Sequence, residues 1–193
     1  MTEPIRMPAP EPIGDVIPGQ PPVPITVWHV PAARAGETVS LALAERLVMN
    51  FTHGRRLVID LTEGEQLAQA VAAARRRHVR HDPADLAHGT ERAALIVLGW
   101  PDPHAHTEPY LTACAARLML GGCVAVVLDG IDIGVNQVLI AAARAAGLTY
   151  LQHLVIAHDL TERHGQVGAG GTHLRVHSDV LIFNRSPRGD RGD

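Results

Sequence analysis

Lysine is absent from this 193-residue chain, and all 17 of its basic residues are arginine. Aromatic residues are scarce at 3%, and the formal net charge is −3. No overall basic field therefore indicates a nucleic-acid partner, and few rings are available to stack on bases. Because an all-arginine composition can reflect codon usage, the arginine count by itself is weak evidence for phosphate binding.

Cysteine and long apolar runs are also scarce. The two cysteines, Cys114 and Cys123, lack metal-ligand spacing, and we expect two free thiols in a reducing compartment. No apolar run reaches the roughly 18 residues of a membrane span, and the N-terminus lacks the order of a signal peptide. The 12 histidines form no HExxH pattern, and no CxxC occurs. The sequence thus predicts a cytoplasmic protein with no membrane span and no metal site.

The chain is predicted to contain one folded domain between two tails. A hydrophobic content of 46% over this length is enough for one sizeable core. Residues 1–24 hold eight of the 14 prolines and show no hydrophobic period, which predicts a disordered or extended arm. The tail 187–193 is also predicted to be disordered. The folded domain is therefore expected to span residues 25–186.

Within the domain, helical and strand-like segments alternate. Helices are predicted at 40–51, 65–77, 107–120 and 134–147, and strands at 55–60, 78–82, 94–98, 123–129, 148–159 and 172–185. Gly121-Gly122 is expected to end the third helix. Apolar strands alternating with helices favour a parallel sheet covered on both faces, and two final strands without a helix between them indicate an antiparallel last strand. The prediction is a Rossmann-like, doubly wound α/β sheet.

Three predicted strand ends carry polar residues: Asp60, Asp82 and the turn at 99–102. Segment 54–82, GRRLVIDLTEGEQLAQAVAAARRRHVRHD, resembles the cofactor segment of S-adenosylmethionine-dependent DNA methyltransferases that modify exocyclic amino groups. Segment 93–103, AALIVLGWPDP, falls where that family has a strand followed by Ser-Pro-Pro-aromatic. Later segments resemble its remaining helices and closing hairpin, so the resemblance covers about residues 25–186. The family's third strand is expected to be shortened or absent, because only about ten residues separate Asp82 from Ala93.

The resemblance implies S-adenosylmethionine as a cofactor and assigns residues to it. Asp60, Thr62 and Gly64 fall on the cofactor loop, and Asp82 matches the acid that binds the ribose hydroxyls. The loop has one glycine where the family has two, and Glu65 adds bulk and negative charge beside the methionine carboxylate. The residues alone leave an alternative open, in which Thr62 and Glu65 form a helix capping box and Asp82 is a solvated strand-end residue.

At the catalytic turn, the chain departs further from the pattern of the resembled family. There the polar residue, two prolines and aromatic residue hold the target amino group and stack on a base flipped from its duplex. The aligned positions here are Gly99, Trp100, Pro101 and Asp102. Trp100, Pro101 and Asp102 are therefore the catalytic candidates, with Trp100 stacking and Asp102 accepting. A plain turn is the alternative that we favour at this position.

These departures lead to a ranked set of functions. The first is a methyltransferase-fold protein with eroded cofactor and catalytic motifs, acting as a non-catalytic binding or regulatory protein with a DNA or protein partner. The second is an active S-adenosylmethionine-dependent methyltransferase with an altered substrate. The third is a homo-oligomeric structural protein whose Pro-rich arm binds a partner. The basic run 75–80 is interpreted as a solvated face beside a helix end rather than a DNA-facing patch.

Overall fold

The computed structural model describes residues 16–17, 23–100, 107–128, 133–158 and 177–186. Its strands are β1 (Val16–Ile17), β2 (Val23–His29), β3 (Leu57–Leu61), β4 (Arg77–Arg80), β5 (Ala93–Gly99), β6 (Leu118–Leu128), β7 (Thr149–Ala157) and β8 (His177–Asn184). Its helices are α1 (Leu41–Phe51), α2 (Gln66–Ala73), α3 (Thr107–Arg117), α4 (Ile133–Ala145) and a short 3₁₀ helix (Pro83–His88). The predicted helices and strands of the domain are all present, with shifted ends.

All eight strands form one sheet in the order β1-β2-β7-β8-β6-β5-β3-β4. Strands β4, β3, β5 and β6 pair in parallel, and β8 is antiparallel to both of its neighbours, β6 and β7. The predicted doubly wound α/β sheet with an antiparallel last strand is therefore confirmed. The chain runs outward from β3 to β4 and then returns to β5 on the other side of β3, which is a topological switch point.

Apolar side chains on both faces of the sheet explain why its central strands are continuous hydrophobic runs. All five residues of β3 are buried. Helices α1 and α2 cover one face, where Leu47 and Leu67 pack against Val58. Helices α3 and α4 cover the other, where Leu111 and Leu139 belong to the same cluster as Ile59. A strand buried on both faces has no polar side to expose, so it shows no alternation.

The predicted end of the third helix at Gly121-Gly122 is wrong. Helix α3 ends at Arg117, and both glycines lie inside β6. The backbone of Gly121 and Gly122 exchanges hydrogen bonds of 2.8 and 2.9 Å with Arg185, which extends the pairing of β6 with β8. A Cβ atom on Gly122 would lie 2.9 Å from the carbonyl oxygen of Ala93, so the close approach of β5 explains this glycine.

Strand β2 was not predicted, and the expected domain boundary after residue 24 falls within it. The strand pairs in parallel with β7, from Ile25 beside His153 to His29 beside Ala157. Val16–Ile17, inside the predicted arm, pairs with the start of β2. The prolines that frame this segment hide its strand pattern. Residues 1–15, 18–22 and 187–193 lie outside the described residues, so the disorder of the tails stays a prediction.

The connection from β4 to β5 contains the 3₁₀ helix and no strand, so β4 is an edge strand. The expectation of a shortened or absent third strand is confirmed. The buried side chain of Arg117 fastens this connection, because its guanidinium donates to the carbonyl oxygens of Leu86 and Glu91, each at 2.9 Å. Among the helices that the structure describes, none is long and apolar enough to cross a membrane.

Candidate functional site

A cleft of about 880 Å³ opens at the carboxyl ends of the parallel strands. Leu61 of β3, Arg80 of β4, Gly99 of β5 and Leu128 of β6 line its floor, and residues 31–40 form the opposite wall. It therefore lies beside the switch point between β3 and β5, which is where open α/β sheets bind their ligands.

The wall at 31–40 is attached to the loop that follows β3. The backbone N–H of Glu63 donates to Oγ1 of Thr38 at 2.8 Å, and the N–H of Thr38 donates to the carbonyl of Glu63 at 3.2 Å. Ser40 caps α1 by accepting from the N–H of Leu43 at 3.3 Å. Reasoning from sequence missed this wall, since a loop without hydrophobic period carries no signal for a contact 25 residues away.

Asp60 lies below the cleft and is fully buried. Its Oδ1 accepts from the N–H and hydroxyl of Thr62 at 2.9 and 2.6 Å. Its Oδ2 lies 2.9 Å from Nε2 of His78 and accepts from Nε and Nη2 of Arg80 at 3.2 and 2.9 Å. Burial alone would raise the pKa of Asp60, but these hydrogen bonds outweigh it and lower the pKa. Both oxygens are occupied, so Asp60 orients the loop and does not line the cleft.

The loop that follows β3 and contains Gly64 is held by internal contacts. Gly64 has a φ of +86°, and a Cβ atom there would collide with the side chain of Gln66. Oε1 of Glu65 accepts from Nη1 of Arg80 at 2.6 Å, and Nη2 of Arg80 donates to the carbonyl of Gly64. The negative charge of Glu65 is therefore paired with Arg80. Thr62 lines the cleft, whereas Gly64 and Glu65 do not.

The alternative capping box is wrong. Helix α2 begins at Gln66, and Glu65 is its N-cap residue, whose side chain makes no capping hydrogen bond to the helix. In a capping box the hydroxyl of Thr62 would be at the N-cap and accept from a backbone N–H of the first turn. Thr62 instead precedes the N-cap, and its hydroxyl donates to the buried carboxylate of Asp60.

Asp82 lies at the mouth of the cleft, two residues beyond the end of β4. Its Oδ1 accepts from the N–H of Ala84 at 2.9 Å and caps the 3₁₀ helix. Its other oxygen makes no hydrogen bond to any residue that the structure describes. The exposed carboxylate thus keeps one acceptor for a ligand. His81, which the sequence analysis did not single out, lines the cleft beside it.

Gly99 and Trp100 occupy the aligned catalytic turn. A Cβ atom on Gly99 would lie 2.9 Å from Cγ2 of Thr38, so a serine or asparagine would displace the wall. The N–H of Trp100 donates to the carbonyl of Val127 at 2.9 Å, and its ring packs 6.3 Å from that of Tyr110. Its indole nitrogen is buried without a hydrogen-bond partner among the described residues. Pro101 and Asp102 lie outside the described residues, so their roles stay predictions.

No family model matches the chain, and no curated protein sequence matches it. Solved structures do resemble it. One is an S-adenosylmethionine-dependent O-methyltransferase from Thermotoga maritima, with 13% identity and a TM-score of 0.53 over 84% of this chain and 69% of that one. Another is a predicted O-methyltransferase from Agrobacterium tumefaciens, with 15% identity and a TM-score of 0.51 over 78% and 82%. The chain therefore has the Rossmann-like fold of S-adenosylmethionine-dependent methyltransferases.

Proposed function

We propose that this protein binds S-adenosylmethionine, or its demethylated product S-adenosylhomocysteine, in the cleft at the carboxyl ends of the parallel strands. The observation that carries the proposal is the position of Asp82 at the cleft. One of its carboxylate oxygens caps Ala84, and the other accepts no hydrogen bond from the part of the chain that the structure describes. A ribose diol needs such an acceptor at the end of the strand beside β3. The resemblance of segment 54–82 to the cofactor segment supports the same assignment.

The cleft residues fit the two ends of this ligand unequally. Leu61, at the end of β3 beside β4, supplies apolar surface for an adenine ring near Asp82, whereas Val127 and Leu128 line the cleft further along the sheet on β6. At the methionine end, the N–H groups of Thr62 and Glu63 already donate to Asp60 and Thr38. Fewer backbone donors remain there for a carboxylate, so we expect affinity in the micromolar range, about 8 kcal/mol.

The catalytic turn supports a binding or regulatory role rather than methylation of amino groups. A target amino group needs an acceptor oxygen held in place, and Gly99 has no side chain to supply one. The methyl group of Thr38 occupies the space into which such a side chain would extend. We therefore propose that the protein does not methylate exocyclic amino groups, and that it acts through a nucleic-acid or protein partner.

Calorimetric titration with S-adenosylmethionine and S-adenosylhomocysteine tests the binding proposal. Asp82→Asn keeps an oxygen for the Ala84 cap but replaces the ribose acceptor by a donor, so we expect at least about tenfold weaker binding, or ~1.4 kcal/mol. Asp85→Asn is the matched control, since Asp85 lies in the first turn of the same 3₁₀ helix and does not line the cleft. Absence of binding at millimolar ligand, or equal losses in both variants, would contradict the proposal.

An active methyltransferase with another substrate is the second candidate. The indole N–H of Trp100 favours it, because a buried donor at a cleft that has no partner among the described residues is suited to hold a substrate acceptor. Transfer of a labelled methyl group to any acceptor by the wild-type protein, reduced in Trp100→Phe, would replace the non-catalytic role by this one. Retained cofactor binding in that variant would locate the defect in substrate recognition.

A further inference from the structure

Six arginines gather at the end of the sheet opposite the cleft. This cluster, the arginine edge, consists of Arg55, Arg56, Arg75, Arg76, Arg77 and Arg92, of which all but the partly buried Arg76 are exposed. They lie at or just before the first residues of β3, β4 and β5. The N–H of Arg77 donates to the carbonyl of Arg56 at 3.0 Å, which joins the two main groups.

The sheet register brings the starts of three strands to one edge. Leu57 pairs with Arg77, and Val58 pairs with Leu95. Arg77 therefore lies beside the start of β3, which Arg55 and Arg56 precede, and Arg92 precedes β5 on the other side of β3. Adjacent strands are about 4.8 Å apart, so the arginine edge spans three neighbouring strands.

Few acids neutralise the arginine edge. Among the described residues, one ion pair involves the arginine edge. It joins Arg77 and Glu91 at 2.6 Å, and both side chains are largely exposed. The guanidinium of Arg76 is oriented by the hydroxyl of Thr52 at 3.1 Å and the carbonyl of Ala74 at 2.8 Å. A local positive surface therefore exists on a chain whose formal net charge is −3.

Arg75 occupies a position that normally belongs to glycine. Its φ is +54°, and the N–H of Arg76 donates to the carbonyl of Val71, which is the Schellman geometry at the end of α2. Glycine would adopt this conformation without steric penalty. A strained arginine at an exposed position is an observation that points to a function of its side chain.

Helix dipoles account for only part of the cluster. Helices α1 and α2 both end nearby, but neither has a basic residue in its last turn, where the dipole acts. Arg92 follows a loop and precedes β5, so it is not placed by a helix end. The interpretation of the basic run as charge that complements a helix end therefore explains only part of the cluster.

We propose that the arginine edge binds the phosphate backbone of a nucleic-acid strand without reading its bases. Guanidinium groups pair with phosphate oxygens through two parallel hydrogen bonds, and arginines at the starts of three adjacent strands offer several such groups along one edge. None of the six residues is interleaved with an aromatic residue, so base stacking is not part of this surface. This surface lies at the far end of the strands from the cleft and is independent of cofactor binding.

Fluorescence anisotropy with labelled single-stranded RNA, single-stranded DNA of the same sequence, and duplex DNA tests the proposal. We expect binding whose logarithmic affinity falls linearly with the logarithm of KCl concentration between about 50 and 200 mM. Tighter binding of one of the three probes identifies the type of strand. Absence of binding to all three at the lowest salt would overturn the proposal.

Variants separate the arginine edge from general charge effects. Arg75→Gln removes one phosphate contact, so the salt slope should fall by about one and the affinity at ~0.1 M KCl by roughly tenfold. Arg144→Gln, in the last turn of α4 beside β7, changes the charge equally and should leave the affinity unchanged. Arg75→Gly should weaken binding as much as Arg75→Gln while its melting temperature stays at or above that of the wild type. Equal losses in Arg75→Gln and Arg144→Gln would refute a specific site.

Discussion

The carboxylate of Asp60, on β3, accepts hydrogen bonds from three residues, one in the loop after β3 and two on the edge strand β4. Thr62 belongs to the loop, and His78 and Arg80 belong to β4. Its position in the sequence suggests direct contact with a cofactor, yet its oxygens are used to hold the loop against the edge strand. Asp60 therefore occupies the motif position of a cofactor-binding aspartate but acts by orienting Thr62, which does line the cleft.

Asp60→Asn is expected to destabilise the fold in a pH-dependent way. Asparagine keeps one oxygen but replaces the other by an N–H donor, so either Thr62 or the pair of Arg80 and His78 loses its acceptor, and the negative charge is lost. The cost is roughly 2–3 kcal/mol, below that of a fully buried pair because Arg80 is 38% exposed. Since the folded-state pKa of Asp60 is lowered, its stabilisation is present above the unfolded pKa and disappears as the pH falls through the folded value. Urea unfolding of wild type and variant between neutral and strongly acidic pH measures this difference.

Asp85→Asn serves as the control for this titration, because Asp85 is exposed and no ion pair joins it to another described residue. A stability difference between wild type and Asp60→Asn that stays constant down to the lowest accessible pH would show that the charge of Asp60 is not what stabilises the loop.

At the scale of elements, the segment between β4 and β5 replaces a strand with a 3₁₀ helix fastened by one arginine. Arg117 is buried, and its donors reach the carbonyls of Leu86 and Glu91. Gly89 leaves room for it, since a Cβ atom there would collide with the guanidinium. The same segment carries His81 and Asp82 at its start, so its attachment to α3 also positions one side of the cleft.

Arg117→Met is expected to loosen this segment selectively. Both carbonyls would lose their donor, at about 1–3 kcal/mol for each buried acceptor. Hydrogen exchange followed by mass spectrometry should show faster exchange at residues 83–92 and little change in β3 or β5. Arg144→Met, at an exposed position of α4, is the control. Unchanged exchange at 83–92 would mean that the segment is held by the packing of Leu86 alone.

At the scale of the whole molecule, the two cysteines report on the integrity of both faces of the sheet. Cys114 packs in the cluster covered by α3 and α4, and Cys123 packs in the cluster covered by α1 and α2. Burial raises the pKa of Cys114 to about 12 and that of Cys123 to about 11. Neither thiol is therefore a reactive thiolate in the folded protein at neutral pH.

A pH of about 8 is near the ordinary thiol pKa, so an unfolded cysteine reacts readily with iodoacetamide there. In the native protein, both thiols should resist alkylation at this pH. Labelling should begin with global unfolding in urea, and both cysteines should react over the same denaturant range because the two clusters share one sheet. Labelling of one cysteine well before the other would indicate that one helical layer detaches first.

The sequence by itself determined the alternation of helices and strands, the two-faced burial of β3 and β5, and the antiparallel last strand. These follow from the local hydrophobic period and from the absence of a helical pattern in the sequence between the last two predicted strands, and neither depends on distant contacts. It also placed Thr62, Asp82 and Trp100 at strand ends, which a parallel sheet brings to one edge. The resemblance to methyltransferases led to the same fold that the structure has.

Tertiary structure alone decided the remaining features, because each depends on residues far apart in the chain. The backbone of Arg185 converts Gly121-Gly122 from a helix stop into part of β6. Pairing with β7 makes a strand of a proline-flanked segment. Arg80 neutralises Glu65, and Thr38 fills the space beside Gly99. The pairing of three strands gathers the arginine edge, whose three groups at 55–56, 75–77 and 92 are brought together by backbone hydrogen bonds that no local pattern encodes.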